Sequence, residues 1–163
     1  MEMAHAGSNL VGRTSLTVVP PSSIWYPLLD TLADSVNPML AFVAIVTAIF
    51  EWRRSSRRVV VAYIVATTLG LAGVYVVRAV DVNLSIWHRL GGHYSTHAAF
   101  ATSVVISLAF WYPRYRRVLV TVWLAYAGLI LIIGYHTLSD VLTASVVACA
   151  VTMPWQFASR RTS

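Results

Sequence analysis

The chain has 163 residues, 58% hydrophobic and 11% charged, with a net charge of +6, whereas soluble domains average about 45–50% apolar and about 25% charged. That composition excludes an ordinary soluble domain and leaves room for one domain whose solvent is a bilayer. The positive charge argues against a nucleic-acid partner, because all 12 basic residues are arginines and most lie in three short clusters between apolar runs, the pattern of loops that face anionic headgroups.

Residues 1–23 are small and polar, with Pro20 and Pro21 near their end, and lack the charged start and apolar centre of a cleavable signal peptide. They are expected to be a mobile tail. In residues 24–35, Trp25, Tyr26, Leu28, Leu29 and Leu32 alternate with Asp30 and Asp34. This stretch is too polar to span and predicts an amphipathic helix lying in the interface. Five apolar runs follow, at residues 36–52, 59–79, 94–112, 118–134 and 138–157. About 18–21 residues cross the roughly 30 Å of hydrocarbon as helix. The first run is the shortest, with Asn37 and Pro38 expected as its cap and first turn. The predicted fold is all-α: a polytopic transmembrane bundle of about five spanning helices over residues 24–157, ending in a basic segment at 158–163. The lone Cys149 sits in an apolar run and reads as a packing residue.

Arginine placement gives the expected orientation. Arg53, Arg54, Arg57 and Arg58 follow the first run, Arg114, Arg116 and Arg117 follow the third, and Arg160 and Arg161 end the chain. Five crossings put all three clusters on the cytoplasmic side, with the N-terminus outside. The membrane is then a bacterial-type inner or plasma membrane. The outer face collects His88, His93, His97 and His136 with Arg78, Asp81, Arg89 and Asp140. Ionisable groups gathered in a membrane protein mark a site.

Tyr94-Ser95-Thr96-His97 opens the third run, where free backbone N–H groups and the positive end of the helix dipole favour an anion. Ser95 is equally a candidate for a plain N-cap. His136 closes the fourth run and Asp140 begins the fifth, four residues on, so the carboxylate can orient the imidazole and leave its other nitrogen as nucleophile or base.

These two segments resemble motifs of the type 2 phosphatidic-acid phosphatase superfamily of lipid phosphatases and phosphotransferases. Tyr94-Ser95-Thr96-His97 looks like its PSGH motif, and Gly134-Tyr135-His136-Thr137-Leu138-Ser139-Asp140 looks like the HxxxD end of its last motif. The wording is closest to the sphingomyelin synthase branch, through Tyr94, Asp140 and Val141, with Thr96 in place of glycine. The resemblance covers residues 76–157. It implies that His136 attacks phosphorus, that Asp140 orients it, and that His97 protonates the leaving oxygen. Ser95 and nearby backbone N–H groups would hold the phosphate, and Thr96 and His93 are further candidates for binding it.

The chain departs from the family in its basic residues. The lysine-bearing motif is absent, and Leu129-Ile130 stands where the last motif would carry Ser-Arg. Arg78 and Arg89 are the local substitutes, and snorkelling to the headgroups is their alternative role.

The function expected on this basis is that of a membrane lipid phosphatase or headgroup phosphotransferase working without a cofactor. Its partner is a lipid phosphate or phospholipid substrate, and a homo-oligomer is compatible with it. Two alternatives stand beside it. One is a weak or inactive relative that binds phospholipid headgroups or serves as a membrane partner protein. The other is a metal site drawing on His93, His97, His136 and Asp140.

Overall fold

The computed structural model describes residues 19–161. Residues 1–18 of the expected tail, including His5 and Arg13, lie outside the described residues. Residues 19–23 run as turns against the bundle, where Val19 N donates to Ile132 O at 3.4 Å. Among the described residues every regular element is helical: α1 Tyr26–Arg54, α2 Arg57–Leu84, α3 Ile86–Arg89, α4 Thr96–Trp111, a 3-10 turn at Pro113–Tyr115, α5 Arg116–Ile132 and α6 Leu138–Arg161. The all-α fold class is as expected from the long apolar runs. Four helices, α1, α2, α5 with its preceding turn, and α6, are long and apolar enough to cross a membrane.

Two expectations need correction. The interfacial helix at residues 24–35 and the first span at 36–52 are one continuous 29-residue helix, α1. Asn37 and Pro38 do not start a helix; Pro38 sits inside one. A proline removes one helical N–H, a loss that membrane helices tolerate when neighbours meet the freed groups. The alternation of apolar residues and aspartates in residues 24–35 reflects packing on both sides of that point, since Ala33 and Leu40 are both buried in the same core cluster. The first run is therefore not the shortest span. The shortest apolar helix is α4, at 16 residues, or about 24 Å, below the length of the four spanning candidates.

Helix α4 is the axis of the bundle and not part of its wall. It packs against α1, α2, α5 and α6, and nine of its residues, from Ala98 to Leu108, are buried. A helix that is apolar all round belongs inside. Its alanines and serines let neighbouring backbones approach closely. On α2, a methyl group added to Gly70 would meet Thr152 Cγ2 at 2.9 Å, and one added to Gly73 would collide with Val151. Polar pairs cross these close contacts: Ser103 Oγ lies 2.9 Å from Thr152 Oγ1, and Gln156 Nε2 donates to Ser107 Oγ at 2.8 Å. Each such pair contributes about 0.6 kcal/mol in a membrane.

The helices alternate in direction, which gives the bundle two chemically different ends. At one, Tyr112 donates from its hydroxyl to Glu51 Oε1 at 2.9 Å, and Arg160 donates to Phe110 O. All three arginine clusters gather there. At the other, the segments that join α2 to α4 and α5 to α6 meet the start of α6, and these carry the histidines.

Candidate active site

The segment between α2 and α4 is shaped by a buried carboxylate. Helix α2 ends at Ser85, whose left-handed backbone (φ 52°) turns the chain. Asp81 then accepts Trp87 N–H at 2.9 Å. The Trp87 ring stands edge-on to Tyr94 at 4.8 Å, and its Nε1 donates to Thr143 Oγ1 at 3.0 Å, fastening the segment to α6. Gly91 takes a positive φ of 79°. Gly92 passes so close to α6 that an added Cβ would sit 2.5 Å from Asp140 Oδ1.

The connection between α5 and α6 follows an equally local logic. Gly134, at φ 77°, ends α5, with Gly134 N bonded to Leu131 O and Tyr135 N to Ile130 O. This is the Schellman arrangement that a glycine just past a helix end provides. Two residues later Thr137 and Asp140 cap the start of α6 reciprocally: Asp140 N donates to Thr137 Oγ1 at 3.3 Å, and Thr137 N donates to Asp140 Oδ2 at 3.0 Å. His136 is thereby held between a helix that has just stopped and one about to begin.

These two turns bring His97 and His136 together. Their ring centroids are 6.5 Å apart, with ring planes inclined at 50°. Reacting atoms in a near-attack arrangement lie about 3–3.5 Å apart, so the gap admits one phosphorus centre between two ring nitrogens. His136 is half-buried and His97 is exposed. Burial pushes the His136 pKa below the ordinary histidine value; the Asp140 carboxylate opposes that shift, and His97, His93 and Arg78 add to it. The neutral imidazole is favoured, with a lone pair free to react.

Asp140 does not bond the His136 ring. Its Oδ1 accepts His93 N–H at 2.7 Å and its Oδ2 accepts Thr137 N–H. It acts on His136 through charge and by joining the two turns. Ser95 is fully buried and its hydroxyl accepts Ala98 N–H at 3.3 Å, the N-cap geometry of α4. Thr96 is half-buried beside His97. Arg78 lies 3.6 Å from Asp81, and its charge reaches His136. Arg89 is exposed at the end of α3 and is not brought to the histidine pair. His93 pairs with His88 at 6.2 Å between ring centroids. Among the described residues, no three His, Cys, Asp or Glu side chains converge as metal ligands.

Several neighbours were not anticipated from the sequence. Tyr135 lies 6.2 Å from the His97 ring, and its hydroxyl donates to Asp30 on α1. A cavity of about 320 Å³ opens beside His97 between α1, α2 and α4, lined by Asn37, Pro38, Ala41, Tyr75, Thr96 and Phe100. Asn37 donates from Nδ2 to His97 O at 3.5 Å. The Asn-Pro pair at residues 37–38 was the available signal for this contact, and its reading as a helix start concealed it.

Protein-family models, curated proteins and solved structures yield no match to this chain.

Proposed function

We propose that the protein is an integral membrane lipid phosphatase or headgroup phosphotransferase that works through a phosphohistidine on His136. The observation that supports this best is the pair of imidazoles from separate turns, 6.5 Å apart, with the more buried one biased toward its neutral form. In the first step a His136 ring nitrogen bonds to phosphorus as the ester P–O bond breaks, and His97 gives a proton to the departing oxygen. In the second, the oxygen of water or of a lipid hydroxyl bonds to phosphorus as the P–N bond to His136 breaks, and the attacking group loses its proton to His97. Arg78 supplies positive charge to the phosphoryl oxygens. Asp140 is a positioning residue.

The apolar cavity beside His97 suits a lipid whose tail stays in the bilayer while its phosphate reaches the ring pair. The clustered arginines favour the cytoplasm for their end of the bundle, which puts the histidines outside.

A second reading is favoured by one observation: the site has few cations. Arg78 is already paired with Asp81, Arg89 stands apart, and Ser95 faces inward. On that reading the protein binds phospholipid headgroups with little or no turnover. The test is phosphate release, or headgroup transfer, by purified protein on a panel of lipid phosphates. The catalytic reading expects turnover that falls about 10⁴-fold or more in His136→Ala with thermal unfolding unchanged. Headgroup binding without turnover in the wild-type chain would select the second.

A further inference from the structure

His97 stands in the first turn of α4, and its exposed imidazole makes no hydrogen bond among the described residues. The rings beside it are Tyr135, at 6.2 Å between centroids, and His136, at 6.5 Å. Tyr135, in contrast, is fastened at both ends. Its backbone N–H donates to Ile130 O at 3.0 Å in the turn that closes α5, and its hydroxyl donates to Asp30 on α1. The hydrogen bond to that carboxylate pushes the Tyr135 pKa up, so the phenol keeps its proton and remains a donor.

Helix α1 reaches the site from one face. Asp30 and Asn37 are seven residues apart, about two helical turns, and so lie on the same side. Ala33 and Leu40 share that side and are buried in the core. From it Asn37 Nδ2 also donates to His97 O at 3.5 Å. The helix packs against both α4 and α5. It thereby touches the backbone of one histidine and the residue next to the other. At its far end α1 is tied separately, by the Tyr112 hydroxyl to Glu51.

We propose that Tyr135 is a positioning residue for His97: clamped to α1 through Asp30, its ring sets the angle and distance at which the His97 imidazole faces His136. The inference rests on the catalytic reading of the two histidines and extends it, because it makes α1 part of the site without a contact to phosphate. The ring separation lies in the range at which aromatic pairs attract. A group that transfers a proton needs neighbours whose own positions are locked, and the Asp30 bond locks Tyr135.

Kinetics of the purified full chain on lipid phosphates, read beside the nuclear magnetic resonance signals of its histidine rings, test this. In D30A and Y135L the expected kcat falls about a hundredfold while KM hardly changes, and the His97 ring signals lose the shift that the Tyr135 ring gives them. D30N keeps an acceptor for the hydroxyl and recovers most of the turnover. E51A unties α1 at its far end and leaves turnover unchanged. In a chain that already carries His97→Ala, Y135L causes no further loss, because its effect passes through His97. A rise in KM at constant kcat, an equal loss in E51A, or the full loss from Y135L on top of His97→Ala would overturn the proposal. If no lipid phosphate is turned over, the catalytic reading fails alone and the ring signals decide this one: His97 signals that move in D30A uphold it, and unmoved signals overturn it. Should Y135L unfold, D30A and D30N carry the same comparison.

Discussion

The two ends of the bundle solve one problem with opposite charges. At the histidine end, the chain segments that enter and leave the helices present unpaired N–H groups, and carboxylates take them: Asp81 accepts from Trp87, and Asp140 from His93 and Thr137. At the arginine end, α4 presents unpaired carbonyls, and Arg116 and Arg160 donate to Ala109 and Phe110. Each of these side chains matches the polarity of the backbone groups it binds. The difference lies in what is left over. At the histidine end the carboxylates are occupied by backbone and the imidazoles stay available. At the arginine end the cations are themselves the groups that cap α4.

The comparison predicts unequal consequences when a charge is removed. Asp140 is buried and serves two turns, so Asp140→Ala strands two backbone donors and costs about 3–5 kcal/mol of stability. Arg116→Gln, on an exposed side chain, costs about 1 kcal/mol or less. Thermal unfolding in detergent measures both, and a reversed order would break the contrast. Gly92→Ala sharpens it by pushing a methyl group against Asp140 from the other side. A loss of about 1–3 kcal/mol is expected, and turnover falls because the turn that carries His93 must shift.

Ser95→Ala has a smaller effect. It removes a helix cap, costs about 1 kcal/mol and leaves KM unchanged, because the hydroxyl faces inward. A large rise in KM would instead make Ser95 a phosphate ligand. The smallest effect concerns pH. The His136 pKa is held below its ordinary 6.5 by burial, so beneath that pH the folded chain binds fewer protons than the unfolded one. The His136 contribution to stability is complete above pH 6.5 and is lost as pH falls. The acid limb of kcat/KM, set by protonation of the nucleophile, accordingly lies below pH 6.5. His93→Ala, which removes one repelling neighbour, moves that limb slightly upward.

Much of this was legible in the residues. Runs of apolar sequence mark the helices, and the three arginine clusters fix which helix ends belong together. His97 and His136 were placed at a common end by topology alone. The break expected between residues 35 and 36 was wrong because an Asn-Pro pair looks the same at a helix start and inside a membrane helix; only packing by Ala33 and Leu40 against the core tells them apart. The backbone bonds of Asp140 were hidden for a subtler reason. His136-x-x-x-Asp140 overlaps Thr137-x-x-Asp140, a reciprocal cap that makes the same carboxylate a local structural group. Its bond to His93 N–H joins residues 47 apart in the chain and depends on a close pass at Gly92 that no spacing announces.

The central claim, a covalent phosphohistidine shared between two converging imidazoles, is tested most directly by trapping. Purified protein is mixed briefly with lipid phosphates labelled at phosphorus, quenched in base and digested, and the labelled peptide is sequenced. The account predicts acid-labile, base-stable phosphate on His136, lost in His136→Ala and accumulating in His97→Ala when the ester carries a good leaving group. Label on any other residue, or none from a lipid that the protein demonstrably turns over, would contradict it.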